Sequence, residues 1–379
     1  MVGVFAVWMA LGSLHASANG QQTRVPALPT EYRQMLQELP DALLQSLPDE
    51  AFSTDPESAA RAWQTLLSPR GLVTLITDML AAHWQDYLRL LLTLLGVLLL
   101  RAVWNALATS VKSAGLSGGV QLLCRLVLFG VIVKQALGLL TGVVAFYADL
   151  NQLTAAFLPL MGAMYAMGGN VGAAVVNHST LVMSMAAVEW VGGKSVVPLF
   201  SLCLAFALLG AFEASVAGRM QILTGKLKKW YTTGLGLLML LLSGTLAAQS
   251  VLTARADSLG FRTVRFAVSS SIPIVGGGVA DMLRTAASGL GYLRGVVGVG
   301  GVVLILWLLL PQIISIWLIR VVFGVAGDIA GWMGCGEEGK LLGEVSSLYG
   351  YLLAVVAISA VTFFFALVLL TKCGAAYAA

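Results

Sequence analysis

Charge is scarce in this 379-residue chain. Only 11% of the residues are charged, and 58% are hydrophobic. A soluble domain carries about 25% charge, so an ordinary soluble enzyme and a disordered chain are both excluded. Histidine is scarcer still, with His15, His83 and His178. A membrane serine hydrolase would need a Ser–His pair, and Ala287-Ser288-Gly289 has no histidine after it. Asp281 sits in Gly-Val-Ala-Asp rather than the Gly-x-Gly-Asp of an intramembrane aspartyl protease. No P-loop is present, so ATP hydrolysis by that route would fall to another subunit. Cys124, Cys203, Cys335 and Cys373 form no CxxC pair and carry no metal or disulfide signature. The net charge of +4 does not point to nucleic acid, because most of the basic residues lie beside apolar runs. The residues imply no catalytic site, metal or cofactor.

Long apolar runs fill the space that charge leaves. A crossing helix takes about 20 apolar residues. Leu88–Leu107, Gln121–Phe146, Val196–Ala217, Tyr231–Leu252, Val296–Ile319 and Leu348–Leu370 meet that length. Leu153–Val191 could hold two short spans, broken near Gly168-Gly169-Asn170, and Phe266–Arg294 is apolar but rich in Ser, Gly and Pro. The fold class is therefore all-α, a polytopic helix bundle of about seven to ten spans, two of them broken by Pro and Gly. The 42 glycines suit close helix packing and broken membrane helices.

The amino-terminal region differs. Val2–Leu14 is a short apolar run, and Ala16-Ser17-Ala18 resembles a signal-peptidase site, so 1–18 reads as a signal peptide. Residues 19–86 hold four basic and nine acidic side chains, whereas the rest holds 18 basic and nine acidic. That asymmetry predicts an exported acidic segment over 19–86 and a membrane domain over 87–379. Asp55-Pro56 and Ser68-Pro69 are N-cap and N1 pairs, and Arg70–Asp86 has an amphipathic face for membrane lipid or a partner. The exported segment reads as a docking arm.

Positive-inside reasoning then gives nine crossings. Lys112 is cytoplasmic, a turn at Tyr147–Asn151 is outside, and Arg219, Lys226, Lys228 and Lys229 form a cytoplasmic basic loop suited to a partner. Arg284 and Arg294 fall inside, the acidic 328–344 loop outside and Lys372 inside. Arg101 and Arg125 snorkel at cytoplasmic helix ends, while Lys134 and Glu213 lie deeper and could pair.

Two Pro-Gly breaks carry the strongest functional signal. They are Pro159-Leu160-Met161-Gly162 and Pro273-Ile274-Val275-Gly276-Gly277, followed by Asp281 and Arg284 at i, i+3. Backbone groups freed by proline must be buried in protein or face water. Pro159, Gly162, Pro273, Gly276, Gly277, Asp281 and Arg284 are thus the candidate pore or gating residues. The alternative is a kinked packing helix. An offset of 114 relates the two breaks, and also Gly225-Lys226-Leu227 to Gly339-Lys340-Leu341. A true internal repeat would suit a secondary transporter with a solute site between the breaks, and would split the Val296–Gly331 run at Pro311.

The segment Ser271-Ile272-Pro273-Ile274-Val275-Gly276-Gly277 with Asp281 resembles the signature of the stage III sporulation protein AE family. So does the stretch from Leu310-Pro311-Gln312 through Gly324–Gly336 to Leu348–Gly374. The resemblance implies a non-enzymatic component of a channel or secretion-like complex, in the mother-cell membrane around the forespore. It implies as partners the other stage III sporulation A-operon proteins, including a cytoplasmic ATPase, and ring-forming proteins between the two membranes. Homo-oligomerisation is left open, and no catalytic residues carry over.

Overall fold

A computed structural model describes residues 30–48, 56–108, 114–167, 183, 186–187, 190–212, 218–238, 240–241, 244, 248 and 276–373. The signal-peptide reading of 1–18 and the positions Pro273, Glu213 and His178 lie outside the described residues.

The described residues open with three short helices: α1 (Thr30–Gln37), α2 (Asp41–Ser46) and α3 (Pro56–Leu67). Pro56 opens α3, as the Asp-Pro pair predicts. The next pair works the same way. The Gly71 amide donates to Ser68 Oγ at 3.1 Å, so Ser68 caps a helix that begins at Pro69. The reversal into it is so tight that a Cβ on Gly71 would lie 2.6 Å from the Thr65 carbonyl oxygen.

That helix is α4 (Pro69–Ala108), and α5 (Ala114–Met167) follows. A π-helical turn at Trp190–Val196 leads into α6 (Val197–Phe212). Helix α7 covers 218–238. Two long helices close the chain, α8 (Gly276–Trp332) and α9 (Gly336–Cys373). Among the described residues, five stretches are long and apolar enough to cross a membrane: His83–Leu107, Gly118–Pro159, Lys194–Phe212, Gly300–Trp332 and Gly336–Val361. The chain is an all-α, multi-pass membrane protein.

Contacts between helices give their directions. Arg125 meets Glu337 and Tyr147 meets Ser359, so α5 runs parallel to α9. Lys228 meets Ser347 and Tyr231 meets Tyr351, so α7 also runs with α9. Ser195 pairs with Tyr231 while Cys203 neighbours Lys228, which sets α6 antiparallel to α7. The chain therefore alternates: α4, α6 and α8 run one way, and α5, α7 and α9 the other.

Several sequence expectations change here. Tyr147–Asn151 is no turn, because α5 runs unbroken from Ala114 to Met167. Nothing in that pentapeptide breaks a helix, and Tyr147 and Leu150 are buried. Nor do residues before and after Arg284 form separate crossings, because Gly276–Trp332 is one helix. Arg284 and Arg294 lie on its extension ahead of the apolar stretch. Pro311 sits inside α8 without splitting it. Merging these pairs removes the basis for nine crossings. The basic loop at Arg219–Lys229 is likewise the first half of α7. Arg70–Asp86 forms the first part of α4, which continues past residue 86.

The small helices do not stand apart from the bundle. Met35, Leu39, Leu43, Leu47 and Trp63 are buried in the same core as the long helices. Gln152 Nε2 on α5 donates to the Glu38 carbonyl at 3.1 Å, and the Trp63 ring lies 3.4 Å from where a Gly300 Cβ would stand.

The α8–α9 hairpin is the tightest part. α8 ends in a Schellman motif: the Cys335 amide donates to the Ala330 carbonyl at 2.9 Å and the Gly334 amide to Gly331 at 3.3 Å. Gly334 supplies the required left-handed backbone, with φ 77°. Small residues line the seam below. A Cβ on Gly339 would stand 2.9 Å from the Gly327 carbonyl oxygen, and one on Gly327 3.1 Å from the Gly339 carbonyl oxygen. Ser346 Oγ donates to the Arg320 carbonyl at 2.9 Å. With lipid outside, such close approach supplies the packing that a hydrophobic drive supplies in water. Gly339→Val should cost about 2 kcal/mol through overpacking. Gly343→Ala, where an added Cβ meets nothing within 4 Å, should be neutral. Thermal unfolding in detergent compares them, and equal midpoints for both variants and the parent would refute the seam.

Candidate functional site

Two charged clusters lie within helices that the sequence makes apolar. The first sits at the α8–α9 turn. Glu338, 4% exposed, is the first-turn carboxylate of α9. It receives Arg101 Nε from α4 at 3.4 Å and faces Arg125 Nε of α5 at 3.8 Å. Arg125 also pairs with Glu337, which takes a second bond from Gln121 Nε2 at 3.4 Å. Arg101 Nη1 donates to Asn105 Oδ1 at 3.0 Å. The helix N-terminus favours both carboxylates. Cys335 lies beside them, its thiol 3.9 Å from the Leu98 carbonyl. Burial, then the Glu338 carboxylate, pushes that thiol above its ordinary range, so it stays protonated and unreactive.

This cluster moves the 328–344 region. The ion pairs hold Glu337 and Glu338 at the same end of the bundle as Arg101 and Arg125, whereas the nine-crossing scheme puts them on opposite sides of the membrane. Because α4 ends at the cluster and α9 begins there, the start of α4 and the end of α9 share the other side. The sequence flags each of the two arginines; placing the 328–344 region on the opposite side of the membrane hides their partners.

The second cluster involves α6, α7 and α9. Lys228 Nζ donates to Ser347 Oγ at 3.0 Å, with Glu344 and Cys203 beside it. Lys228 thus turns inward, while Arg219, Lys226 and Lys229 are exposed on α7. Tyr231 hydrogen-bonds Ser195 at 2.7 Å and touches the Tyr351 ring. Tyr147 donates to Ser359 Oγ at 3.0 Å. Apart from Lys228, sequence reading passes over these residues. Tyrosine and serine within apolar runs give little signal until neighbouring helices align them.

Of the candidate pore residues, Pro273 lies outside the described residues. Pro159 is exposed near the end of α5, and of Gly162, Gly276, Gly277, Asp281 and Arg284 only the backbone is described, the first on α5 and the others on α8. A Cβ on Gly142 would lie 3.6 Å from Gln312 Oε1, so α5 and α8 pass each other at these positions. Carried along antiparallel helices, that register sets Pro159 near residue 295, roughly 30 Å of helix beyond Gly276.

The sequence matches the family described as Stage III sporulation protein AE over residues 62–374. The chain belongs to the stage III sporulation protein AE family. It is 21% identical over 285 residues to Stage III sporulation protein AE of Bacillus subtilis (strain 168), which covers 74% of this chain and 71% of that protein. No solved structure matches. The match takes in both clusters, and a sporulation role follows for this chain.

The two ion pairs of the first cluster should differ sharply in strength. Arg101→Met leaves a buried carboxylate short of a partner and should cost about 3 kcal/mol. Glu337→Gln, at a side chain 63% exposed, should cost less than about 1 kcal/mol. Unfolding midpoints of the two variants in detergent check this, and equal losses would contradict the burial argument.

Proposed function

We propose that the chain is a non-enzymatic membrane component of the channel or secretion-like complex that links mother cell and forespore, and that forespore development requires it. The family match across the membrane bundle carries this reading. It sits in the mother-cell membrane around the forespore. Other stage III sporulation A-operon proteins are its partners, among them a cytoplasmic ATPase and ring-forming proteins between the membranes.

The bundle's charge supports an orientation. Arg101 and Arg125 mark the end where α9 begins, and α7, running with α9, carries Arg219 and Lys226 toward that same end. Basic residues favour the cytoplasm, so this end is cytoplasmic and α1–α3 pack on the outer side. The exposed Arg219, Lys226 and Lys229 then offer a positive face to a cytoplasmic partner, and α1–α3 a rigid base for ring proteins. Pro159, Gly162, Pro273, Gly276, Gly277, Asp281 and Arg284 remain candidates for gating. A solute site between the two breaks is less favoured, since the helix register sets Pro159 and Gly276 apart along the bundle.

In a spore-former carrying this gene at its native locus, Pro273→Ala, Gly277→Leu, and Arg219, Lys226 and Lys229 changed together to Glu should each lower heat-resistant spore counts by an order of magnitude. Protein levels in the membrane should hold. Wild-type counts from all three strains would sink the proposal. Orientation has its own check. A reporter active only outside the cytoplasm, fused after Ala379, should be active; an inactive fusion at normal abundance would reverse the assignment.

A further inference from the structure

Arg320 is an exposed cation inside the apolar stretch Gly300–Trp332, and no carboxylate pairs with it among the described residues. Its side chain does not reach back toward the α8–α9 turn. The Cα–Cβ bonds of a helix lean toward its N-terminus, which for α8 is the far end. The guanidinium lies against α9 instead. A Cβ on Gly350 would stand 3.1 Å from Arg320 Cζ and 3.1 Å from its Nε, so glycine leaves the room that Arg320 fills.

A second cation reaches the same place from the opposite wall. Lys228 Nζ of α7 donates to Ser347 Oγ at 3.0 Å, and Ser347 is one turn from Gly350. At 100° per residue, Gly343 and Ser347 fall between two rows of α9: Gly339, Ser346 and Gly350 pack on α8, while Glu344 and Tyr351 turn to α7. Gly343 and Ser347 are exposed, and a Cβ on Gly343 would meet nothing within 4 Å. Helix α9 is thus the floor of an open groove walled by α7 and α8. Lys340, exposed and two turns nearer the start of α9, stands at its mouth.

The groove is positive. Glu344 is the carboxylate beside Lys228 and offsets it, and Asp328 of α8 is eight residues, about 12 Å, from Arg320. Arg320 and Lys340 stay unmatched. Ser347 lies roughly 16 Å along α9 from Gly336, where its apolar stretch begins. Cations at that depth thin the bilayer around them and draw polar groups in. A phosphate diester fits the donors present: the guanidinium offers two parallel N–H bonds, and the ammonium and hydroxyl add to them. Trp317, one turn from Arg320 and 48% exposed, is the side chain that favours headgroup level. A partner helix would fit less well. Close helix approach needs small residues on both surfaces, and the α8 wall carries Trp317 and Arg320.

We propose that this groove binds an anionic phospholipid of the bilayer, its phosphate held between Arg320 and the Lys228–Ser347 pair, with Lys340 at the entrance. Basic pockets between membrane helices recognise anionic headgroups in this way. The site needs the bundle to cross the membrane and needs none of the partner proteins.

Native mass spectrometry of the purified full-length chain in neutral detergent, titrated with phosphatidylglycerol or with phosphatidylcholine of the same acyl chains, tests it. The wild type should bind phosphatidylglycerol about tenfold more tightly. Arg320→Gln and Lys340→Gln should each lower that affinity about fivefold, the scale of one cation near an anionic headgroup, and Arg320→Lys should keep most of it. Arg89→Gln removes the same charge from an exposed position on α4 and should change nothing. Parent-like unfolding midpoints without lipid show that the variants are folded; if Arg320→Gln is not, Lys340→Gln decides. Equal binding of the two lipids by the wild type overturns the proposal and leaves the groove to an acidic partner helix. An undiminished preference in the deciding variant, or an equal loss in Arg89→Gln, also overturns it and means an adventitious additive only. Glycerol phosphate that competes as well as phosphatidylglycerol overturns the lipid assignment in favour of a soluble phosphate. Spore counts read the complex rather than the lipid, so either result can stand while the other falls.

Discussion

One buried carboxylate organises the bundle. Glu338 faces Arg101 from α4 and Arg125 from α5 at the head of α9. Charge buried this completely is tolerated only when it is matched. Sliding or tilting α4, α5 or α9 by one turn would leave at least one charge alone against hydrocarbon. The cluster thereby sets the vertical register of three helices, and α8 inherits that register through the short turn at Gly334. Membrane sidedness follows as well. With both hairpin ends held together, an even number of crossings separates them.

What the cluster does for register, small side chains do for distance. Gly327 and Gly339 let the α8 and α9 backbones approach to near contact. Outside the seam the surface is apolar: Leu92, Leu99 and Leu100 of α4 and Leu122, Leu123 and Leu126 of α5 are exposed. In a soluble protein such a surface would be a liability. Here it is the face that lipid covers, and the helix order follows from charge and glycine because leucine does not discriminate between neighbours.

The all-α membrane class and the Ser68-Pro69 helix start were legible in the residues, since they depend on run length and on local capping. The lengths of the individual helices were not. Counting apolar runs treats Gln121–Phe146 and Leu153 onward as separate, because Tyr147–Asn151 is polar enough to look like a turn. Yet helix continuity depends on whether a breaker is present, and none is. Pro159 and Pro311 misled in the opposite sense. Each removes one backbone donor, but both lie inside continuous helices, as prolines in membrane helices can when neighbours satisfy the freed groups. The pairing of Arg101 with Glu338, 237 positions later, is a tertiary fact. No periodicity in one chain announces it.

The two devices meet on α9. Its seam residues Ser346 and Gly350 and its polar residues Ser347 and Tyr351 are offset by a single position, which is 100° around the helix. Whatever fixes the first row against α8 therefore aims the second toward α6 and α7. If α9 rotated to bring Lys228 a different partner, the glycines would leave the seam and larger side chains would enter it. The polar row needs no separate anchor. Its position is a geometric consequence of close packing on the neighbouring face, so a helix that looks uniformly apolar in sequence can hold a charged pair well inside the membrane without a structure built for it alone.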